Sequence, residues 1–259
     1  MDPSTQFPRD TLITPLIIMI NNGVPVNTFI DIGAADGTFG LTVLDAVNPS
    51  LHLLNIDAQE TYAGSLARIE AMLGEPYRIA AVGDHDGVIH VNKPQHEYWL
   101  STAQHMGPGS VELPCRKLDS ICAEVGLKGP AFIKLDVEGA EMGVLRGAEA
   151  TLRETAGLLI ESPVRAAPGP QFLEIYEFLA GRGFSLFDIV RMSHRGTDAT
   201  LYQFSSVFIA NRFDFRGKNK LRSAEQQAEV LESVTSRRDQ LRAENLQLIA
   251  SIKLKRSMY

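Results

Sequence analysis

Phe29-Ile30-Asp31-Ile32-Gly33-Ala34-Ala35-Asp36-Gly37-Thr38-Phe39-Gly40 decides how this chain is read. A short apolar run carrying one acid breaks into glycines at 33, 37 and 40, where a helix is expected to begin. Glycine lets the backbone turn tightly and come close to a ligand, and the carboxyl end of a strand in an α/β sheet faces the ligand crevice. The next apolar run, Leu51-His-Leu-Leu-Asn-Ile-Asp57, ends in a second acid about 20 residues downstream, where a carboxylate accepts hydrogen bonds from ribose hydroxyls.

The glycine spacing is not Gly-x-Gly-x-x-Gly, and no Gly-Lys-Ser/Thr follows to hold a triphosphate. Asp31 and Asp36 would repel a pyrophosphate. A donor without phosphates fits the loop better. S-adenosylmethionine, with a cationic sulfonium and an ammonium group, suits an acidic loop.

The chain has 259 residues, enough for one large α/β domain and an appendage. A net charge of −6 argues against a general nucleic-acid binder. The total conceals an asymmetry, since the 43 residues from Gly217 onward carry nine Lys/Arg against five Asp/Glu. Cys115 and Cys122 form no disulfide framework or zinc-ligand spacing and read as reduced thiols of a cytoplasmic protein. Leu12–Ile20 is too short to span a membrane and Pro15 interrupts it, and the N-terminus lacks the pattern of a signal peptide.

Apolar runs at 28–32, 51–56, 77–82, 131–136, 157–161, 184–189 and 203–210 read as strands. Amphipathic stretches at 38–47, 59–73, 117–125, 140–153 and 170–181 read as the helices between them, and residues 9–22 as a helix on the sheet edge. This alternation predicts a doubly wound α/β fold, with a mainly parallel sheet of seven strands. Residues 87–92 read as an additional strand and 93–110 as a long loop carrying His96, Tyr98, Trp99 and His105. The expected domain boundaries are 1–215 and a helical extension at 216–259. In that extension Leu231, Val234, Arg238, Leu241, Asn245, Leu248 and Ile252 follow heptad a and d positions. They suit either a short coiled coil, through which the protein would form a homo-oligomer, or a solvated single helix.

The second informative block is Phe132-Ile-Lys-Leu-Asp136-Val-Glu138-Gly139-Ala-Glu141. Another strand ends in an acid, and the strand Leu158-Leu-Ile-Glu161 places a further carboxylate on the same rim. Several acids at adjacent strand tips are what proton-transfer chemistry in an open α/β fold calls for.

With these blocks in hand, the chain resembles the FkbM family of S-adenosylmethionine-dependent methyltransferases. Phe29–Gly37 matches the family's glycine loop. Asp57, Ala80-Ala-Val-Gly-Asp84 with Gly87, Leu118-Asp119, Ile133–Glu141 with Leu145-Arg-Gly-Ala148, and Glu161 follow in order and spacing. The resemblance spans about residues 28 to 210, and Lys-Leu-Asp-Val-Glu-Gly-Ala-Glu is its specific part. It implies a class I, Rossmann-like sheet with six parallel strands and a last antiparallel one. It also implies methyl transfer to a hydroxyl of a sugar or secondary metabolite. The chain departs from the family at Asp36, where asparagine is usual, at Asp57-Ala58 in place of Glu-Pro, and at Ser162-Pro163, where a nearby histidine is common.

On this reading Asp31, Gly33, Ala34, Asp36 and Gly37 form the donor loop, Asp57 and Ala58 hold the ribose, and Ala81 and Val82 flank the adenine. Asp136 faces the transferring methyl group as base or acceptor-orienting carboxylate, while Glu138 and Glu161 shape the acceptor pocket. His105 or His96 are alternative bases. Trp99 and Tyr98 suit either a platform for a sugar ring or a closure over the cofactor. Carboxylates such as Asp136 and Glu161 also suit Mg²⁺, so a divalent metal stays an open expectation with no assigned ligands. The alternatives are methylation of a small-molecule natural product and, in a different class, a non-catalytic scaffold that assembles partners through the C-terminal helix.

Overall fold

A computed structural model describes residues 11–92, 101–102, 110–164, 172–217 and 232. The parallel core consists of β1 (Thr28–Ile32), β2 (His52–Asp57), β3 (Tyr77–Ile79), β8 (Ala131–Leu135) and β9 (Thr155–Pro163). The long hairpin of β10 (Phe184–His194) and β11 (Leu201–Ala210) completes a seven-stranded sheet in the order β10-β11-β9-β8-β1-β2-β3. β11 runs antiparallel to both neighbours, and the other six strands point one way. All five residues of β1 and of β8 are buried, as expected of strands covered on both faces.

Side-chain alternation along these strands divides the core in two. Phe29 and Phe132 stack at 6.2 Å between ring centroids on the face covered by α1 (Thr14–Asn21), α2 (Thr38–Ala46) and α3 (Ala63–Leu73), with Leu16, Met19, Val43 and Leu66. Ile30, Ile32, Ile133 and Leu135 face the other way. They pack under α4 (Leu118–Val125), α5 (Glu141–Arg146), α6 (Glu149–Arg153) and α7 (Phe172–Ala180). Each face buries a layer of helices, which is the doubly wound arrangement.

Three expectations need correction. The single strand at 77–82 is two: β3 stays in the main sheet, and β4 (Ala81–Val82) leaves it at Ala80, whose N–H is taken by the Asp57 carbonyl at 2.9 Å. β4 opens a second sheet, ordered β4-β7-β5-β6, with β5 (Gly87–Asn92), β6 (Ser101–Thr102) and β7 (Ser110–Arg116). Consequently the segment 93–110 is not all loop, and β7 is a strand that the sequence reading did not contain. Pro114 inside the alternating Val111-Glu-Leu-Pro-Cys115 had hidden it, because proline demotes a strand pattern.

The helix expected over 140–153 is the third, broken at Gly147 into α5 and α6. A side chain at Gly147 would overlap the Gly83 carbonyl oxygen. Asp119 supplies the other half of the break. Its N–H donates to the Gly147 carbonyl at 3.0 Å, and its carboxylate accepts from Ala150 N–H, Thr151 N–H and the Thr151 hydroxyl at 2.9, 2.7 and 2.7 Å. A carboxylate over the first turn of a helix satisfies donors that have no intrahelical partner. The segments 80–84, 118–119 and 145–148 are thus joined into one staple between the two sheets and the helix layer.

No helix among the described residues is long and apolar enough to cross a membrane. The heptad positions at 231–252 and the loop residues His96, Tyr98, Trp99 and His105 lie outside the described residues.

Gly147 has an ordinary negative φ of −82°, so Gly147→Ala isolates the clash with Gly83 from any backbone strain. This substitution is expected to destabilise the fold by about 3 kcal/mol, in the range for overpacking at a rigid contact. Urea unfolding of the two proteins measures it, and a loss below about 1 kcal/mol would show that the staple yields.

Candidate functional site

The carboxyl ends of β1, β2 and β8 meet beneath a cleft of about 280 Å³. Gly33 makes this convergence possible. Its φ is +77°, and a Cβ there would overlap the Asp136 backbone carbonyl, so only glycine allows the loop after β1 to cross the tip of β8. The Gly33 and Ala34 N–H groups donate to the Ile56 carbonyl at 2.9 and 3.1 Å, and Asp136 N–H donates to the Ile32 carbonyl at 3.0 Å. Three strand tips are therefore laced together before any ligand enters.

Asp57 ends β2 inside the cleft. One carboxylate oxygen accepts from Ala35 N–H and the other from Gln59 N–H, both at 2.8 Å. Burial pushes the Asp57 carboxyl above its usual range, opposed by these two N–H donors, which favour the charged form. Each oxygen keeps a lone pair for a hydroxyl. Ala58, Ala80, Ala81 and Val82 continue the wall on one side. Ile89 and Val91, from β5 of the second sheet, line it as well. They make an apolar slot beside Asp57.

Across the cleft, Asp136 and Glu138 leave the end of β8. Glu138 has φ of +51° and is followed by Gly139 at +101°, a strained turn held by the Glu141 carboxylate, which accepts from Gly139 N–H at 3.1 Å. Glu161 reaches the same place from β9 and accepts from the Gln203 side-chain amide of β11 at 2.6 Å. Carboxylate oxygens of Asp136, Glu138 and Glu161 lie within 4.8 Å of one another, close enough for all three to face one cation or one polar acceptor. Burial, reinforced by the Asp136 charge, pushes Glu161 up to about 8 and Glu138 up to about 7. Near neutral pH these two carboxyls carry protons for much of the time.

The expected donor residues divide into two groups. Gly33, Asp57, Ala58, Ala81, Val82 and Asp136 line the cleft together. Asp31, Ala34, Asp36 and Gly37 do not. Asp31 is fully buried beneath the loop and paired with Lys134 at 3.0 Å, and Ala34 is buried. Asp36 accepts from Thr38 N–H at 3.0 Å at the start of α2, and Gly37 lies against Ile69 and Leu66. The sequence reading missed Gln59, Tyr62, Ile89 and Val91 as lining residues, and Lys134 and Gln203 as partners of the carboxylates. Alternation within 87–92 marked Ile89 and Val91 as one face of a strand, but nothing local says which sheet they join.

The residues present suit S-adenosylmethionine. The cleft combines a fixed carboxylate for a diol, an apolar slot, and a loop pressed so close that a Cβ would not fit.

Among curated proteins, no sequence match reaches significance. Solved structures show low similarity to this chain. Magnesium protoporphyrin IX methyltransferase of Synechocystis PCC 6803, solved with SAM bound, is 13% identical with a TM-score of 0.39, over 76% of each chain. The O-methyltransferase TomG of Streptomyces achromogenes, in complex with SAM, is 14% identical with a TM-score of 0.44, over 80% of this chain and 85% of that one. TrmK of M. capricolum, in complex with S-adenosylhomocysteine, is 7% identical with a TM-score of 0.44, over 76% and 68%. The family comparison is decisive: the Methyltransferase FkbM domain matches residues 31–186, more than half of the chain, and the protein belongs to the FkbM methyltransferase family.

Proposed function

We propose that this protein is an S-adenosylmethionine-dependent O-methyltransferase whose acceptor is a hydroxyl of a sugar or glycan. The observation that carries the reading is the meeting, in one cleft, of the fixed Asp57 carboxylate with Asp136 and Glu138, beside which Glu161 completes a cluster of three carboxyls. Among the described residues that line the cleft there is no Lys or Arg to neutralise a pyrophosphate, which favours a donor without phosphates. Asp136 and Glu138 in the lining, with Glu161 and the Gln203 amide beside them, offer an acceptor several hydrogen-bonding groups. That arrangement suits a polyhydroxylated molecule and repels an anionic one.

In this reading Asp57 and Ala58 hold the ribose, Gly33 and its neighbours the methionine portion, and Ala81 and Val82 the adenine. When bound, S-adenosylmethionine supplies an electrophilic methyl group. An alcohol is a weak nucleophile at neutral pH and gains from a base that takes its proton as the new bond forms. Asp136 is placed for that role. Its carboxylate lies in the cleft, Lys134 holds it at 3.4 Å, and Glu161 stands beside it in the 4.8 Å cluster. Glu138 and Glu161, protonated near neutrality, orient the acceptor by donating as well as accepting. The reading gives residues 1–215 to the transferase domain and assigns self-association, in the cytoplasm, to the segment 216–259, most of which lies outside the described residues.

Asp136→Asn is expected to lower turnover by about 10²–10⁴-fold, the usual contribution of a general base, while S-adenosylhomocysteine still binds in calorimetry. Mass spectrometry of reactions with nucleotide sugars, polysaccharides and aglycones reads the turnover, and unchanged turnover removes Asp136 from the chemistry. Ending the chain at Gly217 is expected to lower the mass measured by light scattering to that of a monomer. A full-length protein that is already monomeric would contradict the assembly.

The cluster also predicts a pH effect on stability. Glu138 and Glu161 have folded values of about 7 and 8 against 4.5 for the ordinary carboxyl, so the folded protein holds protons that the unfolded chain has lost. The stability they contribute is fully present below pH 4.5 and is lost as pH rises through 7 to 8. The ligand-free protein should melt several degrees lower at pH 9 than at pH 6, at about 2–4 °C per kcal/mol for this size. Glu161→Gln keeps the neutral shape and should flatten that slope. An equal slope in the variant would count against a raised Glu161.

A further inference from the structure

We infer that Lys134 is a positioning residue, whose ammonium fastens the donor loop, through the Gly33 carbonyl, to the Asp136 carboxylate on the acceptor side. The inference rests on the cleft being the donor site and extends the hold of Lys134 on Asp136 to the donor loop.

Lys134 is the fourth of the five residues of β8, a strand buried along its whole length, and is itself only 5% exposed. A lysine is rarely placed there, because removing its hydration is expensive unless several acceptors replace the lost water. Three do. The ammonium donates to Asp31 at 3.0 Å and to the Gly33 carbonyl at 3.2 Å, and stands 3.4 Å from Asp136. The face of the Phe39 ring of α2 closes the remaining side at 5.5 Å. Asp31 of β1, Asp136 of β8 and, at longer range, Asp57 of β2 are the charged groups that act on it, and Glu138 and Glu161 act on Asp136 in turn. Burial works against the lysine's charge, and the Asp31 and Asp136 carboxylates outweigh it, raising Lys134 above its ordinary value.

An isolated Asp31–Lys134 pair would gain the fold little, since buried ion pairs are often replaceable by apolar residues of similar volume. The pair does something that an apolar pair would not. Asp31 is anchored under the loop by its own strand, and it presents the ammonium to two groups of the site at once. The Gly33 carbonyl fixes the loop on the donor side, and Asp136 borders the space where donor and acceptor meet. Loop position and carboxylate orientation are thereby set by one atom. The same positive charge also offsets the mutual repulsion of Asp136, Glu138 and Glu161 within their 4.8 Å cluster.

Two variants separate this role from simple neutralisation of Asp31. Asp31→Asn keeps the shape and leaves Lys134 in reach of Gly33 and Asp136. Asp31→Asn combined with Lys134→Met removes the ammonium without leaving an unpaired buried acid. Binding of S-adenosylhomocysteine is measured by calorimetry from pH 6 to pH 9, together with melting temperature. Asp31→Asn should bind within about threefold of the unmodified protein, because the charge-assisted contacts to Gly33 and Asp136 remain. The double variant should melt near Asp31→Asn yet bind at least about tenfold more weakly. The midpoint of its pH dependence should also lie about one pH unit higher, since the carboxylates have lost a neighbouring cation. A purely structural role would leave that midpoint in place. Equal affinity and equal midpoint in the two variants would reduce Lys134 to a partner of Asp31 and overturn the inference. Absence of binding by the unmodified protein would instead remove the donor reading, and this inference with it.

Discussion

The tips of β1 and β8 approach so closely that the loop between β1 and α2 has no room for a side chain where it crosses Asp136. Gly33 is the consequence, and most of the site follows from it. The crossing brings the acid at the end of β8 beside the loop, puts the Ala35 N–H over Asp57, and leaves a cleft bounded by three strand ends. It also requires something to hold Asp31 of β1 and Asp136, just past β8, near one another. Lys134 and Asp31 meet there, out of water, where an ion pair is strong only because further acceptors surround it.

A second constraint acts at right angles to the first. The chain leaves the main sheet at Ala80, so that β4 and β5 can wall the cleft with Val82, Ile89 and Val91. That departure must be held, and the Asp119 cap and the Gly83–Gly147 contact hold it. The blocks by which the chain resembles its family therefore serve two purposes. Some meet the ligand, and others, including Leu118-Asp119 and Leu145-Arg-Gly-Ala148, join the sheet that flanks the ligand to the helices behind it.

Much of the fold was legible because its strands are buried on both faces, and runs such as Phe29–Ile32 and Ala131–Leu135 are apolar almost throughout. The errors fell where one residue had two roles. Pro114 interrupts the apolar pattern of 110–116 and is nonetheless accommodated in β7. Gly147, inside the helix expected over 140–153, is a contact point at which that helix breaks. Asp31 looked like a ligand residue because it lies in the glycine motif, yet β1 turns it under the loop. The carboxylates at 136, 138 and 161 were each visible as strand-tip acids. Their mutual distance was not, because it depends on the register of β8 against β9 and on Gln203, which reaches Glu161 from β11.

By itself the sequence determined the order and type of most elements, the glycine crossing, the acids at the ends of β2 and β8, and the family. These are local properties, set by hydrophobic period and by the freedom of single residues. Tertiary structure alone decided which acids share a space, which are held by backbone N–H groups, and where the one buried lysine of β8 reaches. Such facts come from strands separated by 20 to 100 residues in the chain and brought within about 3 Å by packing. No pattern along the chain encodes a distance across it.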